Sequence, residues 1–181
     1  FRQLQQSTAA SNTAWFGRLR ESAMDRFEQL GFPSVKEEEW KYTNVAPITK
    51  LSFNPALPPI DVDPVVTTSE LARFGYPEAQ ASQLVFVNGA LRNDLSSLAG
   101  LPVGVVAIDL VEAIADEKYG ELIREQLARS ADYNANAFTA LNTAFVSSGA
   151  FILIGRGVEL AYPLHLNFIS DPSGPAASNF P

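Results

Sequence analysis

Residues 150–170 read AFILIGRGVELAYPLHLNFIS, and the reading of this stretch decides the fold. Three short apolar runs, Phe151–Ile154, Val158–Ala161 and Leu164–Ile169, are separated by Gly155-Arg156-Gly157 and by Pro163. Short runs of apolar residues bounded by Gly or Pro read as strands. From Tyr133 to Ser170 the only charged residues are Arg156 and Glu159. That is too little charge for a segment whose outer faces all meet water. The segment is therefore buried, or it expects further chain or a partner to cover it.

Working outward, the residues before it alternate between helix and strand. A helix is expected over 135–146, with Phe138, Leu141 and Phe145 on one face. Val103–Leu110 reads as a strand, and Asp109-Leu110-Val111-Glu112 can cap a helix after it, with Ile114, Leu122, Ile123 and Leu127 turned inward. Gly120 interrupts that pattern, so the stretch fits one helix or two short ones. Leu84-Val85-Phe86-Val87 is a β-branched and aromatic run followed at once by Asn88-Gly89. Asn-Gly supplies the two positive φ values of a type I′ turn, which predicts a hairpin returning through Ala90–Arg92. Pro55, Pro58, Pro59 and Pro64 crowd residues 54–64; they fix φ and remove donors, so the stretch reads as an extended crossing.

The N-terminal part is helical by periodicity. Phe16, Leu19, Ala23, Phe27 and Leu30 recur at spacings of three and four, with Ser11, Asn12 or Thr13 as the cap and Gly31 and Pro33 as the stop. Arg18, Arg20, Glu21, Asp25 and Glu28 are assigned to its solvated face. Ser34-Val35-Lys36-Glu37 has the spacing of a capping box on a short second helix. The closing Asp171–Pro181 has no periodicity and reads as a loop. The expected fold class is α+β: a helical segment over 1–53, a Pro-rich linker over 54–67, an α/β region over 68–149, and a further strand region over 150–181.

Composition removes several functions. The chain has 181 residues, no Cys and one His, which excludes disulfides, thiolate chemistry and a multi-histidine metal site within it. A cysteine-free chain fits a reducing, cytoplasmic compartment. Thirteen basic and twenty acidic residues give a net charge of −7, and no basic run marks a nucleic-acid partner. No window reaches the roughly 20 apolar residues of a membrane span. Residues 1–13 lack the apolar core of a leader, and the chain begins on Phe1, as a piece of a longer protein would.

Candidate chemistry is sparse. Glu37, Glu38 and Glu39 are adjacent, so on a helix they diverge by about 100° each and cannot converge on one atom; charges near a helix N-terminus are the simpler account. His165 has no acidic residue near it in sequence, and no Gly-x-Ser-x-Gly elbow accompanies it. Gly155-Arg156-Gly157 lacks the Lys-Ser/Thr of a phosphate loop and reads as a tight turn. Nothing assembles a nucleophile, base and anion hole. The chain is expected to be no enzyme, with no catalytic, cofactor or metal residues.

Gly31-Phe32-Pro33 and Glu38-Glu39-Trp40-Lys41-Tyr42-Thr43 resemble the signature near the start of the SufB/SufD family of SUF iron–sulfur cluster assembly scaffolds, in its D-subunit branch, SufD. Leu84–Gly89, Leu101–Val105, Phe138–Phe145 and Pro163–Leu166 follow in the family's order. The resemblance runs from about residue 15 to Pro181. It implies a non-catalytic scaffold subunit whose N-terminal α/β region leads into a right-handed parallel β-helix. The implied partners are the SufB paralogue and the SufC ATPase; no cofactor is held in this part. Pro181 falls where the family's β-helix is starting, and its cluster-assembly positions and ATPase-binding helices lie beyond, so none is carried onto a residue here. On this view residues 150–170 are early rungs or edge strands and the least stable part of the chain, which would account for their low charge. The alternatives are a stand-alone interaction module and a carbohydrate-active β-solenoid enzyme. The latter wants acidic residues on successive strands, and residues 150–170 offer only Glu159.

Overall fold

The computed structural model describes residues 1–7, 13–51, 54–55, 66–170 and 177–178. Helix α1 is Arg2–Ser7 and α2 is Ala14–Leu30; strand β1 is Asn54–Pro55, and α3 is Thr68–Leu71. Strands β2 (Gln83–Val87), β3 (Ala90–Leu91) and β4 (Val105–Asp109) follow, then helices α4 (Leu110–Ala115), α5 (Gly120–Gln126) and α6 (Ala137–Phe145). Strands β5 (Ala150–Ile154), β6 (His165–Ile169) and β7 (Ala177–Ser178) complete the described elements. The strands make three small sheets, none closed: β3-β2-β6, β4-β5 and β1-β7.

The layers follow from side-chain alternation. Strands β4 and β5 pair antiparallel, with Ala107 opposite Ile152 and Asp109 opposite Ala150. Val106, Ile108, Phe151 and Leu153 turn to one face and pack on Phe16, Ile114, Tyr119 and Ile123 of the helical layer. Ala107 and Ala150 turn to the other face and meet Leu84, Phe86, Leu164 and Leu166. Strand β2 is thus buried on both faces. The far side of its sheet, through Val85, Val87 and Ile169, packs on Leu71 and Leu95. This explains why β2 is a continuous apolar run rather than an alternating one.

Local signals hold where they are purely local. Asn88 and Gly89 have φ of 51° and 80°, the hairpin turn expected from the sequence, and they bring β3 antiparallel to β2. The Asp109 side chain caps α4 by accepting a hydrogen bond from the Val111 amide at 2.7 Å. The interrupted stretch resolves into two helices, α4 and α5. Gly120 sits so close to the preceding helix that a Cβ there would lie 2.8 Å from the Ile114 carbonyl oxygen. Helix α6 is capped by Asn136, whose side chain accepts from the Thr139 amide at 2.8 Å.

Several expectations are corrected. Arg20, assigned to the solvated face of α2, is 1% exposed. It stands four residues after Phe16 and three before Ala23, so helical spacing puts it in the buried stripe whatever its charge. Its Nε donates to the Ala144 carbonyl at 3.1 Å, and the rings of Phe1 and Phe16 flank the guanidinium. Leu30 and Leu122, read as inward, are exposed: Leu30 ends its stripe, and Leu122 is turned about 100° from its buried neighbour Ile123. Val158–Ala161 forms no strand; the chain leaves the Gly155–Gly157 turn without a ladder partner there. The Ser34 capping box is half made: the Ser34 amide donates to Glu37 at 2.7 Å, and only a 3₁₀ turn, Glu38–Trp40, follows. The full box lies at Thr67 and Glu70, opening α3. Most of the Pro-rich stretch, Ser11 and Asn12, and most of the closing segment lie outside the described residues.

Candidate functional site

The signature segment divides into an inward and an outward half. Phe27, Phe32, Phe138 and Trp40 form a chain of ring contacts: Phe27 to Phe32 at 5.1 Å, Phe32 to Phe138 at 5.9 Å, and Trp40 to Phe138 at 5.1 Å. Aromatic pairs at such separations add about 0.5–1.5 kcal/mol each beyond area burial. Gly31 makes this possible, since at φ 65° it turns the chain sharply so that Phe32 folds back on the end of α2. Trp40 is therefore an anchor that fastens the segment to α2 and α6. Tyr42, two residues on, is 91% exposed, with Lys41 Nζ 5.6 Å from its ring centre.

Glu37, Glu38 and Glu39 are exposed and diverge. Glu37 takes the Ser34 amide, and Glu38 lies 3.9 Å from Lys41. Gly155-Arg156-Gly157 forms a turn in which the Gly155 amide donates to the Gly104 carbonyl at 2.9 Å. A Cβ on Gly155 would come within 3.0 Å of that oxygen, so the first glycine serves a close approach of two backbones. Arg92 makes a bidentate pair with Asp94, at 2.8 and 2.6 Å. Hydrogen bonding to Arg92 holds the Asp94 carboxyl below the usual range. Burial pulls the Arg20 guanidinium below its ordinary value.

His165 opens β6, and its ring meets the edge of Tyr76 at 5.3 Å. Its Nδ1 is buried without a hydrogen-bond partner among the described residues. The serine–carboxylate contact lies elsewhere: Ser148 Oγ donates to Asp109 Oδ2, bracing the turn before β5 against the start of α4. Among the described residues no group of three or more His, Asp or Glu side chains could hold a metal ion. No helix among them is long and apolar enough to cross a membrane.

The feature that sequence reading missed is the outer edge of β6, the last strand of the β3-β2-β6 sheet. Strand β6 pairs parallel with β2 in the register Leu84–Leu166, Phe86–Phe168 and Val87–Ile169, so like side chains stack on like. The rings of Phe86 and Phe168 stack at 4.9 Å with 15° between their planes. Phe86 is buried, yet Phe168 is 52% exposed. The shared Leu-x-Phe spacing of residues 84–86 and 166–168 was the available signal.

Comparison with known proteins agrees with the residues that carry the signature. A family model described as the SufBD protein N-terminal region matches residues 1–166. An iron-sulfur cluster assembly SufBD family protein of Synechocystis sp. (strain ATCC 27184 / PCC 6803 / Kazusa) is 31% identical over 156 residues. That match takes in 85% of this chain and 33% of the relative, so the chain spans about a third of that protein's length. With its Trp40 anchor, its Asn88-Gly89 hairpin and a match that begins at residue 1 and ends in β6, the chain belongs to the SufBD family through that family's N-terminal region.

Proposed function

We propose that the chain is the N-terminal region of a scaffold subunit of the SUF iron–sulfur cluster assembly complex, in the SufD branch, and that it performs no reaction itself. The observation that carries this reading is the family match over residues 1–166, together with a relative whose name states iron–sulfur cluster assembly. The packing supports it. Trp40 is used to fasten helices, Ser148 and Asp109 brace a turn, and Gly155–Gly157 closes a backbone contact. Of the stretches weighed for chemistry, the Gly155–Gly157 turn is engaged in holding shape. On this reading the region leads into a right-handed parallel β-helix, the working partners are the SufB paralogue and the SufC ATPase, and the setting is cytoplasmic. The iron–sulfur cluster is the cargo of the assembly and is not held by these residues.

The test is co-expression of the tagged full-length gene product with SufB and SufC. Recovery of both partners in fixed stoichiometry is the expected result; recovery of neither overturns the reading. Residues 1–181 prepared anaerobically should contain no iron, and stoichiometric iron in that preparation would refute this part.

A further inference from the structure

We propose that one buried water molecule bridges His165 Nδ1 and Asn167 Nδ2 on β6, and that it holds the chain's single imidazole in its Nε2–H form. The inference stands apart from the scaffold reading, because it rests on packing and hydrogen-bond chemistry alone.

Both atoms are buried and have no hydrogen-bond partner among the described residues. The two residues stand two positions apart on one strand, so their side chains share a face, with about 6.6 Å between Cα atoms. That face is the one on which Val85, Val87 and Ile169 pack against Leu71 and Leu95. Asn167 is 8% exposed, and its ladder neighbour on β2 is Val85, whose side chain has no polar atom. A buried amide N–H left unpaired keeps its full desolvation cost, so folded proteins pair such groups, with water where the chain supplies no partner.

The backbone on either side of the ring is pinned. The His165 amide donates to the Ser82 carbonyl and the Ser82 hydroxyl donates to the Pro163 carbonyl, both at 2.9 Å. The edge of Tyr76 meets the imidazole at 5.3 Å. Gln83, the ladder neighbour of His165, carries a competing amide, yet it makes no bond to Nδ1.

One small molecule that both gives and takes a hydrogen bond suits this pair. The water oxygen accepts from the Asn167 Nδ2–H, and one water O–H donates to Nδ1, which leaves the ring proton on Nε2. Two hydrogen bonds of about 2.8 Å each reach up to about 5.6 Å, matched to side-chain ends on alternate residues of a strand. Two polar partners are the fewest that hold a buried water. A cation is the wrong occupant, because Nδ2–H points a positive dipole at it. Nor could any group of three or more His, Asp or Glu side chains among the described residues bind one.

A crystal structure of the full-length gene product, at a resolution that shows ordered water, tests this. One peak within about 3.2 Å of both His165 Nδ1 and Asn167 Nδ2 is the expected result. No peak, a peak that reaches only one of the two atoms, a side chain in that place, or a direct His165–Asn167 hydrogen bond overturns the proposal. Asn167→Leu and His165→Phe should each lose the peak, since neither side chain holds the water alone; its survival in either variant also overturns the proposal. Where a variant does not fold, the wild-type map decides. In spectra of the full-length protein carrying isotope-labelled histidine, the signal that His165→Phe removes should show the Nε2–H form at neutral pH. The Nδ1–H form there would refute the bridge.

Discussion

Replacing Asp109 tests whether the turn before β5 is held by one carboxylate. Its Oδ1 accepts the Val111 amide at 2.7 Å, and its Oδ2 accepts the Ser148 hydroxyl. The neighbouring Leu110 amide donates to the Gly149 carbonyl at 2.8 Å, so the strand, the helix and the turn meet at this point. Asp109→Ala removes an N-cap, at about 1 kcal/mol. It also leaves a partly buried hydroxyl without its acceptor, at about 1 kcal/mol more. The sum is about 2 kcal/mol, or a fall of about 4–8 °C in Tm for a chain of this length. Asp109→Asn keeps the capping oxygen, and its amide can donate to a rotated Ser148 hydroxyl, so it should lose less than about 1 kcal/mol. Urea unfolding of Asp109→Ala, Ser148→Ala and the double variant, at unchanged m-value, gives the coupling directly. Coupling near ~1 kcal/mol is expected for such a pair. A double-mutant coupling indistinguishable from zero, or an Asn variant as damaged as the Ala one, would refute the reasoning.

Three further outcomes follow from the same structure. Gly120→Ala should lose about 1–3 kcal/mol in urea unfolding, because the new methyl meets a backbone carbonyl that cannot swing aside. Trp40→Ala should cost about 3 kcal/mol through loss of its packing on Phe138, while Tyr42→Ala stays within about 0.5 kcal/mol, as an exposed side chain should; equal losses would contradict the inward–outward division. Asp94 is held low by Arg92 and Asp132 by the Asn134 amide, so each adds stability above the unfolded carboxylate value of about 3.9 that is lost as pH falls below it. Asp94→Asn should therefore flatten the acid limb of the urea midpoint against pH, and an unchanged limb would remove the Arg92–Asp94 pair as a contributor.

The parts of the fold legible in the sequence were those set by a few adjacent residues. Asn88-Gly89 dictates its turn because φ > 0 is a property of those two positions. Asp109 announced its cap, and Gly31 its helix stop, for the same reason. Arg20 was misread because residue type outweighed spacing. The carbonyl it serves lies 124 residues away, where no local pattern can point. Val158–Ala161 has a strand's composition but no partner strand among the described residues, and the ladder rather than the composition makes a strand. The candidate site divided along the same line. The signature from Glu38 to Thr43 could be found by its letters, but the opposite fates of Trp40 and Tyr42 depend on where Phe138 stands. The open edge of β6 was invisible until its parallel pairing with β2 was known, since residues 83 and 165 are joined by nothing local.

That same long-range pairing governs how the chain comes off the ribosome. Helix α2 finds Ala144 through Arg20 and Asn134 through Arg26, and β2 waits for His165–Ile169. The early hairpin and helices must therefore persist as loose pieces until nearly the whole region has been synthesised. During that interval the Leu84–Val87 run is unpaired on one side, and any chaperone that greets this nascent chain should grip it there.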